Sequence, residues 1–180
     1  MSDIANHPLL IEGKINNSFS HKDTIMARQT PWGAIENGGF ENPTLYPWYG
    51  TGRLYTDAAF VGRQYCFLYT DSYIAQYTLP LDTSRDYRLN FYMARFTENT
   101  SGSVYLNFSA DINYEALIPM TEIPFYRYRQ VIFTIPVSRL TFSDTPPYGV
   151  IFIGIRNFGY AGVDQVFLNP IISIDPPIRE

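Results

Sequence analysis

Cysteine is nearly absent from this chain. Cys66 stands alone among 180 residues, which excludes an intrachain disulfide framework. It lies between Tyr65 and Phe67 in an apolar run, the setting of a small buried hydrophobe rather than of a reactive thiol. Histidine is almost as scarce. His7 and His21 both fall within the first thirty residues, so a Ser-His-Asp or Cys-His site elsewhere has no base. Two histidines and one cysteine also cannot supply the common zinc ligand sets. Charge is thin, at 17% of residues with a formal net charge of −4. Nucleic-acid binding draws on clustered Lys and Arg, whereas Arg127 and Arg129 sit on a strand whose faces alternate. No stretch approaches the ~18–20 continuous apolar residues of a membrane helix, so no membrane span is expected. The first thirty residues lack the charged-then-apolar order of a secretory signal, and no Gly-rich phosphate loop opens a helix.

Aromatics and proline fill the space that charge leaves: 15 Tyr, 13 Phe and 13 Pro. Tyr and Phe favour pleated, half-buried surfaces, and Pro punctuates loops and edges. This composition predicts an all-β protein. The length allows one domain with a core of its own, plus an appendage. Residues 1–31 hold both histidines and the apolar Leu9-Leu10-Ile11, yet show no sustained period, and are read as a flexible arm. Pro31 marks the boundary, because proline resists extension of regular structure through it. A sandwich is expected over 32–175, with a tail over 176–180 beginning at Pro176-Pro177.

Within that domain, strands are predicted over 63–69 and 72–79, with Thr70-Asp71 as the turn between them. Tyr87, Leu89, Phe91 and Met93 alternate with Arg88, Asn90, Tyr92 and Ala94, the period of a half-buried antiparallel strand. Residues 98–102 read as a turn, and Val104, Leu106 and Phe108 as one face of the next strand. A further strand is predicted from Tyr126 to Phe133. Residues 143–149 read as a loop, and Val150–Ile155, apolar on both faces, as a central strand. Val163–Ile174 closes the series, with Pro170 marking an edge or bulge. Eight or more short strands make a sandwich or a barrel.

Two landmarks bracket these strands: Glu36-Asn37-Gly38-Gly39-Phe40-Glu41 followed by Trp48, and Val163-Asp164-Gln165-Val166-Phe167-Leu168. Paired glycines in a strand-like run suggest a bulge or a close backbone approach, and the two landmarks read as the first and last strands. Over roughly Ala34 to Ile174 this pattern resembles carbohydrate-binding modules of families 4 and 9. It is similar also to the bacterial domains amino-terminal to collagen-like repeats in spore-formers. The resemblance implies an antiparallel β-sandwich of the jelly-roll type. It also implies that Trp48 packs into the sandwich, and that Glu41 and Asp164 hold a structural calcium with loop carbonyls. Asp164-Gln165 departs from the family's tandem acids and removes one ligand. Both acids are equally suited to hydrogen-bonding turn amides.

Glu36 and Glu41 are the nearest approach to a glycosidase pair, but the glycines between them suit a bulge, and the chain is read as no enzyme. Exposed aromatics can stack on pyranose rings. Candidates are Trp48, though the resemblance places it in the core, with Tyr46, Tyr49, Tyr55 and, chiefly, Tyr126 and Tyr128 with Arg127 or Arg129 nearby. Two functions follow. The first is a non-catalytic assembly protein of a surface layer, spore coat, fibre or phage particle, located extracellularly or on a spore or particle surface. It would pair with its own copies or other surface proteins through Leu9, Leu10 and Ile11, which can add a strand to a sheet edge. The alternative is a glycan-binding module whose partner is a polysaccharide.

Overall fold

The computed structural model describes residues 30–108, 115–139 and 148–172. The arm segment Leu9-Leu10-Ile11 and the carboxy-terminal tail lie outside these residues. Ten strands form two five-stranded antiparallel sheets, the jelly-roll sandwich expected. The first sheet runs in the order β1 (Tyr49–Gly50), β4 (Tyr73–Tyr77), β9 (Val150–Arg156), β6 (Ser103–Asn107), β7 (Glu115–Pro119). The second runs β2 (Arg53–Tyr55), β3 (Tyr65–Leu68), β10 (Ala161–Pro170), β5 (Tyr87–Arg95), β8 (Arg129–Ile135). The only helical pieces among the described residues are two 3₁₀ turns, Met120–Glu122 and Val137–Arg139. No described helix is long and apolar enough to cross a membrane.

Alternation decides which residues face inward. Leu89, Phe91 and Met93 of β5 are fully buried, as are Val104 and Leu106 of β6 and Ile151, Ile153 and Ile155 of β9. Together with Ile74, Val163 and Leu168 they belong to one core between the sheets. Cys66 is buried in that core, and burial pushes its thiol pKa up, as its apolar neighbours in sequence suggest. Trp48 is buried as well, its Nε1 donating to the carbonyl of Asn37 at 3.1 Å.

Three expectations about strands need correction. The segments over 63–69 and 72–79 are shorter, at β3 and β4, and they do not pair with each other. β3 joins β2 and β10, while β4 joins β1 and β9, so the turn at Asp71 (φ 55°) carries the chain from one sheet to the other. The strand predicted from Tyr126 begins only at Arg129. Tyr126 has φ 52°, a left-handed conformation that ends strand geometry.

The run around Asn37-Gly38-Gly39 is no strand either. It is a tightly bonded turn lying beside β10. Val166 N donates to Gly38 O at 2.8 Å, Leu168 N to Trp32 O at 3.1 Å, and Ala34 N to Leu168 O at 2.8 Å. The two landmarks are therefore neighbours. Glycine is needed at 38 because a Cβ there would stand 2.1 Å from the Val166 carbonyl oxygen and 2.7 Å from the Trp32 ring. Asn37 suits φ 48°, being among the residues that tolerate this region. Its side chain donates to Tyr46 O at 3.2 Å and accepts from Asn42 N at 3.2 Å, and Phe40 beyond it is fully buried.

Candidate functional site

The outer face of the first sheet carries a strip of aromatic side chains, assembled from strands far apart in sequence. Register places Tyr49 beside Ala75, and Ala75 beside Phe152. One step along, Tyr73 pairs with Gly154, and Gly154 with Tyr105. Each outward residue alternates with a core residue, Ile74 on β4, Ile151 and Ile153 on β9, Leu106 on β6. The rings touch in sequence. Tyr77 lies 6.1 Å from Tyr49, Tyr49 6.3 Å from Phe152, and Phe152 5.6 Å from Tyr73, centroid to centroid.

Two small residues make room for this arrangement. Ala75 sits in register between Tyr49 and Phe152. Gly154 leaves space for the Tyr105 ring, which would meet a Cβ at 2.4 Å. Tyr105 is thereby laid across the central strand β9, and the guanidinium of Arg156 lies over it, 5.4 Å from the centroid. Tyr77 is 61% exposed and Tyr49 40%, so the strip is reachable from solvent. Burial, with the neighbouring Tyr77 and Tyr73, pushes the Tyr49 pKa up.

The aromatics singled out from sequence lie elsewhere. Tyr126 and Arg127 are exposed in the loop before β8, on the side of the second sheet. Tyr126 packs on Phe96 at 5.3 Å and Phe125 at 4.5 Å. Tyr128 is half-buried, its ring 5.5 Å from Phe60 and its hydroxyl enclosed without a partner. These residues do not form one flat surface. Phe60 stacks on Tyr92 at 4.0 Å, Phe67 on Phe96 at 6.0 Å, and Tyr65 is buried beneath its neighbours. The outer face of the second sheet is thus largely roofed by its own rings and by the loop bearing Phe60. Of the other candidates, Tyr49 belongs to the strip, Tyr55 is on β2 of the second sheet, and Tyr46 is an exposed loop residue. Tyr73, Tyr77, Tyr105 and Phe152 are not among the aromatics that the sequence singles out. Their signal is an aromatic opposite a β-branched core residue on each strand, legible only once the strand order is known.

Glu41 and Asp164 meet on one loop. Oδ2 of Asp164 accepts the N–H groups of Phe60 at 2.9 Å and Val61 at 3.1 Å, and Oδ1 accepts that of Gln165 at 2.7 Å. Oε1 of Glu41 accepts those of Arg63 at 2.8 Å and Gln64 at 3.1 Å. Between them Gly62 has φ 81°, and a Cβ there would lie 2.2 Å from the Glu41 carboxylate. Asp164 is fully buried. Burial, reinforced by repulsion from Glu41, pushes its carboxyl up to about 6 against the pull of its three amide donors. Calcium takes six to eight oxygens, yet the described residues contain no group of three or more acidic, His or Cys side chains. Three of the four carboxylate oxygens already serve main-chain amides. This donor set fits amide capping and does not fit a calcium centre built on side chains.

No family model matches the chain, and no curated protein matches it. Many solved structures share its fold. A family 61 carbohydrate-binding module, TmCBM61, solved in complex with beta-1,4-galactotriose, is 15% identical, with a TM-score of 0.57 over 77% of this chain and 98% of that one. A family 4 carbohydrate-binding module is also 15% identical, with a TM-score of 0.50 over 76% of this chain and 99% of that one. The enzymatically active domain of tailspike protein 4 from bacteriophage CBA120 is 13% identical, with a TM-score of 0.51 over 77% of this chain and 21% of that one. The chain is therefore similar in fold to carbohydrate-binding modules, the jelly roll expected from its two landmarks.

Proposed function

We propose that the protein binds a glycan across the outer face of the β1–β4–β9–β6–β7 sheet and does not catalyse its turnover. One observation carries this reading: the strip from Tyr77 through Tyr49, Phe152 and Tyr73 to Tyr105, with Ala75 and Gly154 set among the rings. Pyranose rings offer apolar C–H faces that stack on such surfaces. The fold shared with carbohydrate-binding modules supports it. Glu41 and Asp164 are in this reading amide caps.

The test is affinity electrophoresis of the full-length protein against a panel of soluble polysaccharides. Tyr49→Ala and Phe152→Ala should each weaken retardation by about fivefold, since a stacking contact is worth ~1 kcal/mol. Tyr126→Ala, on the other sheet, should leave it unchanged. Retardation that depends on Tyr126 and not on Tyr49 would move the site to the second sheet.

A second reading is assembly into a surface layer, spore coat, fibre or phage particle. It draws on Phe125, Tyr126 and Phe158 beside the second sheet, which are 39%, 66% and 48% exposed, since interfaces are rich in aromatics. Sedimentation equilibrium separates the two readings: assembly through these aromatics requires multimers that Tyr126→Ser dissociates, and glycan binding does not. Both readings put the working protein outside a cell or on a particle surface.

A further inference from the structure

We infer that β8 is a docking edge for a second copy of the chain, the two β8 strands pairing antiparallel about a two-fold axis through Ile132. Four strands stand at sheet edges among the described residues: β1 and β7 in the first sheet, β2 and β8 in the second. Three of them are blunted by shortness, charge or proline, the devices that keep an edge from pairing. β1 has two residues and β2 three, beginning at Arg53, while β7 runs from Glu115 to Pro119. β8 carries none of these protections. Its seven residues, Arg129–Ile135, hold no proline, no glycine and no charge after Arg129.

The other side of β8 is open. It pairs with β5 alone, and no main-chain hydrogen bond between described residues meets its outer edge. Alternate residues of such a strand turn N–H and C=O groups outward, a template for one more strand. Gln130, Ile132 and Thr134 face away from the core and are all exposed, Ile132 by 57%.

The strand fits its own reverse. In a pair centred on Ile132 that side chain meets its copy, while Gln130 faces the partner's Thr134 and Val131 the partner's Phe133. Directly opposed side chains lie ~5 Å apart, so the two isoleucines cover each other and the Gln–Thr pairs flank them. Like charges stay apart. Each Arg129 falls opposite the partner's Ile135, which separates the two arginines by about 20 Å at ~3.4 Å per residue, beyond the screening length. Opposed residues of an antiparallel pair share a face, so both aromatic strips end up on the same side of the joined sheets. In the glycan-binding reading, one long polysaccharide then engages two strips.

The test is sedimentation equilibrium of the full-length protein up to about 1 mM, where even weak pairing shows. The mass should rise from one chain to two and stop, because a two-fold contact closes on itself. Ile132→Lys sets cation against cation on the axis and should hold the protein at one chain, with its melting temperature unchanged because the position is exposed. Tyr126→Ser, in the loop before β8, should leave the dimer intact. Ile132→Cys reads the register: air oxidation should link two chains through it. Gln130→Cys, about 14 Å from its own copy in this pairing, should not link, and the native Cys66 is buried. A single-chain mass at every concentration, a dimer that survives Ile132→Lys, or one that Ile132→Cys fails to link overturns the inference. A dimer that Tyr126→Ser dissociates also overturns it, by assigning the contact to the aromatic loop.

Discussion

Glu41 and Asp164 grip the same loop from opposite halves, Asp164 through the amides of Phe60 and Val61, Glu41 through those of Arg63 and Gln64. Neither acid has a cationic partner in these contacts. A loop with four of its N–H groups turned onto two carboxylates is ordered by acceptors from the first and last parts of the domain. Asp164→Ala should cost about 2 kcal/mol, because it leaves three partly buried amide donors without their acceptor. Glu41→Ala should cost less, the Glu41 side chain being exposed. Chemical denaturation of the two variants measures both, and a larger loss at Glu41 would contradict the burial argument.

Removal of calcium should leave the melting curve of wild-type protein unchanged. An ion bound only by the folded state would raise its stability by mass action, and that rise should vanish in chelator. A melting temperature that falls on chelation and recovers with added calcium would show that loop carbonyls complete a metal site around these two acids.

Gly62 lies between the two grips with φ 81°. An alanine there meets the left-handed penalty of ~1–2 kcal/mol and drives its Cβ into the Glu41 carboxylate. Gly62→Ala should therefore destabilise by at least that amount. In Glu41→Ala the clash is gone, so Gly62→Ala should cost less in that background. Additive losses in the double variant would show that the two residues do not meet.

Much of the sandwich was legible from residue order. β5 announced itself because one sheet face is core and the other wet, which imprints a period of two on Tyr87–Arg95. Asn37, the paired glycines and Phe40 were legible as a special backbone site, though as a strand, because a turn held by β10 bonds looks locally like an extended run. The binding strip was not legible. Its rings come from β1, β4, β6 and β9, and which strands adjoin follows from pairing across the whole domain. Tyr126 and Tyr128 had the right spacing for a platform, but the positive φ of Tyr126 breaks the alternation that the spacing implied. Gly154 read as a gap in an apolar run, with nothing local to show that a ring would fill it.

Gly154→Ala tests that filling. The three atoms nearest a Cβ at this position are the outer atoms of the Tyr105 ring and its hydroxyl, at 2.4 to 2.6 Å, so a turn of that side chain relieves the closest overlap and the fold should survive with little change in melting temperature. The ring would then leave its place across β9, and glycan retardation should fall about as far as in Tyr105→Ala. The double variant should be no weaker than either single one. Gly154→Ala with undiminished retardation would remove Tyr105 from the strip.

Thr30, one residue before the boundary expected at Pro31, is bonded into the sandwich. Its hydroxyl donates to the carbonyls of Gly33 and Ile35, and accepts from Trp32 N at 3.1 Å. Trp32 and Ala34 in turn bond to Leu168 of β10. A protein beginning at Thr30 keeps this clamp and should fold with the circular dichroism of the full chain. One beginning at Gly33 loses the hydroxyl, the Trp32 ring against Gly38 and the Trp32 carbonyl that accepts from Leu168, and should melt several degrees lower. The same pair of truncations speaks to assembly. If residues before Thr30, with Leu9, Leu10 and Ile11 among them, join copies of the chain, the full-length protein should sediment as a multimer and the Thr30 truncation as a monomer. Equal masses for the two, at concentrations up to about 1 mM where even weak pairing shows, would leave the arm no part in assembly.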